Sequence, residues 1–259
     1  MAWVERSGFR LFAERAGAGP ALLYISGTGG DLRNRPNGFD TPGVGSFDCV
    51  CYDQRGLGRS GRPKDSYTMA DFADDAAAIL DWAGWSRAAV LGVSFGGMVA
   101  QELTLRHPDR VSRAVLACTS SGGIGGSSYP LHELATLRPE QRAAKTAELI
   151  DTRWANPANP DPLRKTTLSS LGAARALDGG AIAQLQARRG HDTWDRLAGV
   201  TCPVLVAAGR YDGIAPLANA EALAARIPRA RLEVFEGGHL FLAQDPSAAT
   251  KITAFLAAS

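Results

Sequence analysis

Three observations predict an α/β fold built on a mainly parallel sheet. Short apolar runs rich in β-branched residues alternate with amphipathic stretches along most of the chain. A glycine-flanked serine, Gly92-Val93-Ser94-Phe95-Gly96, lies between one such run and the helical stretch after it. Polar residues suited to chemistry recur in turns just after strand runs, where parallel sheets collect ligand sites.

Taken in order, residues 3–16 read as a two-strand hairpin, and Gly17-Ala18-Gly19-Pro20 breaks the chain. Residues 21–25 form a near-continuous apolar strand, the pattern of one buried on both faces, and run into Ser26-Gly27-Thr28-Gly29-Gly30. Residues 47–52 are the next strand. The Gly56–Gly61 stretch after it spells G-x-G-x-x-G, but it follows a charged Asp53/Arg55 segment and leads into Arg62-Pro63 where a dinucleotide fingerprint needs a helix. Residues 67–85 carry apolar positions at helical spacing, with Asp71, Asp74 and Asp75 in the first turns suiting the helix dipole. The Ser94 strand and helix come next, then a strand over 113–118. A flexible Ser/Gly stretch begins at Ser120, and between Leu131 and Leu197 strands give way to helices such as 139–154 and 181–189. Strand, helix, strand, helix resume over 202–208, 216–227, 230–235 and 246–257. The expected organisation is a core over 1–120 and 198–259 interrupted by a helical insertion over 121–197.

The 259 residues, 45% of them hydrophobic, suffice for one large α/β domain or two small ones. The net charge is +2, from 28 basic and 26 acidic residues that are interspersed, so nothing favours nucleic acid or a membrane surface as partner. The apolar runs have strand length, and the first residues lack the plan of a signal peptide, so a cytoplasmic protein is expected. Cys49, Cys51, Cys118 and Cys202 fall in or beside strands and read as small buried hydrophobes. No His/Cys spacing resembles a zinc site, and neither a metal nor a cofactor is expected.

Ser94 needs a base. Of the four histidines, His239 follows the last strand in Glu236-Gly237-Gly238-His239, well placed to reach a neighbouring strand end. His107 closes the helix behind Ser94, and His132 and His191 fall in or at the edge of the insertion. The base needs an acid to fix its tautomer, and Asp212, in the turn after 204–208, is the candidate. The order Ser94, Asp212, His239 is the Ser…Asp…His order of α/β-hydrolases. The backbone N–H groups of Phe95 and Thr28 are the candidate oxyanion donors. Trp154, His191 and Trp194 are candidates for the substrate pocket.

On these motifs, together with Asp53-Gln54-Arg55-Gly56-Leu57-Gly58-Arg59-Ser60 and Gly209-Arg210-Tyr211-Asp212, the chain resembles the α/β-hydrolase superfamily over nearly its full length. Within it the chain is most similar to the small single-domain enzymes labelled 3-oxoadipate enol-lactonase-like. The resemblance implies that the insertion is the family's cap, and that the activity is cofactor-independent hydrolysis of a small ester or lactone. The chain departs from many relatives in having Ser26-Gly27 where they have His-Gly at the oxyanion loop. The Ser94 nucleophile sets it apart from the dehalogenases and epoxide hydrolases of this fold, which use aspartate. Two other activities of the fold stay open: hydrolysis of a carbon–carbon bond and cofactor-free perhydrolysis. So does a role of another class, a non-catalytic ligand-binding protein on the hydrolase scaffold.

Overall fold

Alternation in the strand runs decides how the sheet is covered, because successive side chains point to opposite faces. A computed structural model describes residues 1–172 and 178–258, so the part of the expected insertion at 173–177 lies outside the described residues. The strands are β1 (Ala2–Arg6), β2 (Phe9–Ala16), β3 (Ala21–Ile25), β4 (Asp48–Asp53), β5 (Ala88–Val93), β6 (Val111–Ala117), β7 (Val204–Gly209) and β8 (Ala230–Phe235). They form one sheet in the order β1-β2-β4-β3-β5-β6-β7-β8. The pairs β1–β2 and β2–β4 are antiparallel, and the rest are parallel.

The helices are α1 (Met69–Trp82), α2 (Phe95–Arg106), α3 (Pro139–Ile150), α4 (Pro162–Gly172), α5 (Gly179–Arg189), α6 (Leu217–Arg226), α7 (Phe241–Gln244) and α8 (Pro246–Ala257). On one face of the sheet Leu23, Ile25, Val50, Val90, Leu116 and Val206 pack against α1, α2 and α6. On the other, Leu22, Tyr24, Cys49, Cys51, Leu91 and Leu205 pack under α8. The β3–β4 connection, with two 3-10 turns at Gly38–Asp40 and Val44–Ser46, helps to cover this second face. All four cysteines are buried and free. Among the described residues no helix is long and apolar enough to cross a membrane.

Between β6 and β7 the described elements are helical, with a small core of their own around Leu134, Leu149, Ile150 and Trp154 that also takes in Ile214. Several element ends differ from the sequence reading by a few residues, and two of the differences have a capping reason. α1 starts at Met69 rather than at Tyr67 because Thr68 is extended and caps it. Its hydroxyl accepts the Asp71 N–H while the Asp71 carboxylate accepts the Thr68 N–H. The helix expected over 139–154 stops at Ile150, where extended Asp151 caps a separate 3-10 turn at Thr152–Ala155.

The Gly56–Gly61 stretch is a structural turn. Asp53 accepts the N–H groups of Leu32 and Arg59, and the Ser60 hydroxyl accepts the Phe12 N–H. Arg55, in the same turn, is buried against α1. Its Nε and Nη2 hold the Asp75 carboxylate at 2.7 and 2.9 Å, and Arg6 reaches the same carboxylate. Removing Asp75 takes away the bidentate partner of buried Arg55 and leaves it the more exposed Asp71, 3.3 Å away. Asp75→Ala is therefore expected to lower unfolding free energy by about 3 kcal/mol, read as a fall in the denaturant midpoint.

Candidate active site

The turn between β5 and α2 is short enough to force its serine into strain. Ser94 has φ 56° and ψ −116°, a conformation that non-glycine residues rarely adopt. Its N–H donates to the Ala117 carbonyl of β6 at 2.8 Å. The flanking glycines are required by space: a Cβ at Gly92 would lie 2.3 Å from the Gly96 oxygen, and one at Gly96 2.0 Å from the Ile25 oxygen.

Two further strand ends bring the partners. His239 Nε2 lies 2.9 Å from Ser94 Oγ, and His239 Nδ1 lies 2.7 Å from Asp212 Oδ2. The other Asp212 oxygen accepts the N–H groups of Ile214 and Ala215, both at 2.8 Å. With Nδ1–H given to the buried carboxylate, Nε2 presents a lone pair to the serine hydroxyl. A serine so placed can hand its proton to the ring as it attacks a carbonyl. Cys118, next to Asp212, is also buried, and burial together with the Asp212 charge pushes its thiol well up, so it stands by as a neutral neighbour.

The loop after β3 lies against the serine, since a Cβ at Gly27 would be 3.3 Å from Ser94 Cβ. Phe95 opens α2, so its N–H has no acceptor within the helix. Two glutamines that look like surface residues in the sequence hold the Thr28 loop. Gln184 of α5 accepts the Gly29 N–H at 2.9 Å, Gln184 Nε2 donates to Gln54 Oε1, and Gln54 Nε2 donates to the Ser26 carbonyl. The end of α3 holds the other two loops: the Leu149 carbonyl accepts from Gly213 and the Ile150 carbonyl from His239. Gln244 completes this side, donating to Asp151 at 2.7 Å and accepting the Gly238 N–H at 2.8 Å.

Two cavities take residues from these loops and helices. One, of about 460 Å³, is lined by Tyr24, Thr28, Leu32, His239 and Leu240. The other, of about 280 Å³, includes Met98, Ser120, Arg188 and His191. His191 thus lines a cavity, but the structure places the two tryptophans elsewhere. Trp154 is buried in the small core between β6 and β7, with its indole N–H on Asp161. Trp194 packs on the main core beside Gly125, under the Arg226 guanidinium. Both belong to 3-10 turns, whose phase the helical periodicity of the sequence does not give. His132 borders the second cavity, and His107 pairs with Asp74.

Comparison with known proteins agrees with the fold. The model of the α/β-hydrolase fold family matches residues 20–145. A poly(3-hydroxyalkanoate) depolymerase of Ectopseudomonas oleovorans is 30% identical over 230 residues, 85% of this chain and 78% of that one. The chain belongs to the α/β-hydrolase family. It is a hydrolase of that fold, and 3-oxoadipate enol-lactonase 2 of Acinetobacter baylyi is 29% identical to it over 77% of this chain and 74% of that one. Among solved structures, a hydrolase from Pseudomonas aeruginosa PA01 superposes with a TM-score of 0.81 at 29% identity, covering 99% of this chain and 98% of that one.

His191 supplies a pH test. Its Nε2 faces the Ser120 carbonyl at 3.1 Å, and burial lowers its pKa from 6.5 to about 4. The unfolded chain therefore binds more protons between these values, and folding stability falls as pH drops from 6.5 towards 4. The slope from this one group reaches about 1.4 kcal/mol per pH unit. His191→Gln is expected to flatten that part of the stability–pH curve, measured by urea unfolding at each pH.

Proposed function

We propose that the chain is a serine esterase or lactonase that works through an acyl-enzyme on Ser94. The observation that carries this reading is the 2.9 Å approach of Ser94 Oγ to His239 Nε2, with Asp212 behind the ring. Ser94 Oγ attacks the ester carbonyl carbon while its proton passes to His239 Nε2. The oxyanion is met by the N–H groups of Thr28 and Phe95. Collapse breaks the carbon–oxygen bond, and the leaving alkoxide takes the proton from His239. For a lactone the alcohol stays tethered to the acyl group. A water then gives its proton to His239 and attacks the acyl carbon, and the second collapse returns the proton to Ser94. Asp212 holds the productive tautomer and stabilises the imidazolium.

Residues 121–197 serve as a cap over a core made by 1–120 and 198–259. Relatives named for a polyester and for an enol-lactone support the ester or lactone class. The Ser26-Gly27 departure leaves this reading intact because the oxyanion donors are backbone groups.

A fluorophosphonate probe tests the reading without a guess at the substrate. Intact-protein mass should rise by one adduct in the wild type and by none in Ser94→Ala. Asp212→Asn should keep the fold but lower kcat on an activated ester by about 10⁴-fold. Labelling that survives in Ser94→Ala would overturn the assignment. A wild-type chain that binds esters with neither adduct nor turnover would instead indicate a ligand-binding role.

A further inference from the structure

The helix α5 turns polar side chains inward. Gln184 and Arg188 are four residues apart, so they share a helix face, and they are only 0% and 7% exposed. Gln184 is fully occupied with Gly29 and Gln54. Arg188 is not. Its Nη1 donates to the Tyr129 carbonyl at 2.8 Å, whereas Nε and Nη2 are buried with no partner among the described residues. Burial lowers its pKa only to about 10, so it is charged at neutral pH. A buried cation with one edge unpaired is strongly unfavourable unless an anion meets it.

The two unpaired groups make one edge of the guanidinium, with N–H bonds that run side by side. Elsewhere in this chain that edge grips carboxylates. Arg153 holds Asp151 through Nε at 2.9 Å and Nη2 at 2.6 Å, and Arg55 holds Asp75 in the same way. It is the fork geometry that suits a carboxylate. Arg188 lines the 280 Å³ cavity together with His132, His191, Ser120, Ser128 and Arg189, and none of the described residues around it is acidic. The cavity reaches the first turn of α2. Met98, which borders it, lies one helical turn from Ser94 and donates its N–H to the Ser94 carbonyl.

We propose that Arg188 is a specificity-determining residue that binds a carboxylate carried by the substrate, away from the bond that is cleaved. This deepens the serine-hydrolase reading and rests on it. A monoanionic carboxylate matches this edge and its single charge. The free edge offers two parallel N–H groups, and the nearby hydroxyls of Ser120 and Ser128 are already bonded to each other at 2.8 Å. His191 is neutral at pH 7, so the buried charge to be balanced is the single one on Arg188.

The test uses 4-nitrophenyl half-esters of glutaric, adipic and pimelic acids beside their methyl esters, which match them in length and lack the charge. Wild type should prefer the acids. Arg188→Met should lower kcat/KM for the best acid about 10- to 100-fold, mainly through KM. It should leave the methyl ester within about threefold. Arg188→Lys keeps the charge without the fork and should recover part of the loss. A binding arm needs no turnover. Monomethyl esters of the same diacids should raise the melting temperature of Ser94→Ala but not of Ser94→Ala/Arg188→Met, and inorganic phosphate should give no comparable shift. If Arg188→Met costs both ester types equally, Arg188 is structural and the proposal fails. It fails also if the acid preference survives in Arg188→Met, or if phosphate stabilises as well as the half-esters do. If no ester turns over in wild type, yet the half-esters stabilise only chains that retain Arg188, the Ser94 reading falls and the carboxylate site stands.

Discussion

The strained turn at Ser94 sets the terms for the rest of the site. Holding a serine at φ 56° and ψ −116° costs on the order of 1–3 kcal/mol, and the surroundings must over-determine it. Here three adjacent strands do so. The Ser94 N–H is held by Ala117 at the end of β6, and Gly96 lies so close to Ile25 at the end of β3 that no side chain fits. Because β3, β5 and β6 are parallel neighbours, their loops emerge at one edge of the sheet. The loops after β7 and β8 join them there with Asp212 and His239. The parallel order thus converts five separate strand ends into one cluster.

The serine and its partners are nonetheless held by different parts of the chain. Sheet backbone fixes the serine, whereas the end of α3 fixes the loops of Asp212 and His239. Leu149 and Ile150 give their carbonyls to Gly213 and His239, and Thr152 donates back to Tyr211. The fit at Gly238 is as tight as at Gly96, since a Cβ there would lie 2.0 Å from the Ile150 oxygen. The helical segment between β6 and β7 is therefore part of the frame of the site. On its far side Gln184 does the same for the Thr28 loop. Loosening that segment would disturb His239 and the Thr28 loop together while leaving Ser94 in its turn.

This division explains what could be read from the sequence. The sheet was legible because its strands are short, near-continuous apolar runs such as 21–25 and 47–52, and the structure covers both faces of them, Leu23/Ile25 on one side and Leu22/Tyr24 on the other. Ser94, Asp212 and His239 were legible because each follows a strand run in a glycine-containing turn. Helix ends were less so: Thr68 and Asp151 act through side-chain caps whose effect depends on the backbone around them. Trp154 and Trp194 were read by size and position, but the turns that carry them aim both rings into packing. Gln184 and Gln244 left no signal, because an isolated glutamine in a helix or loop ordinarily faces water, and Gln54 was legible only as part of the Asp53–Ser60 motif.

Partnering separates the buried Arg55 and Gln184 from Arg188, which lines a cavity. Arg55 has the Asp75 carboxylate along its edge, and Gln184 uses both ends of its amide. In both cases the cost of desolvation is offset inside the chain, and the result is rigidity. Arg188 shares the face of Gln184, is about as inaccessible as Arg55, and still keeps its Nε–Nη2 edge open. Packing alone does not account for that arrangement, since an apolar side chain of similar volume would fill the space without desolvating a charge. Gln184 and Arg188 share one face of α5, so the helix that holds the Thr28 loop through Gly29 also carries the unpartnered guanidinium edge.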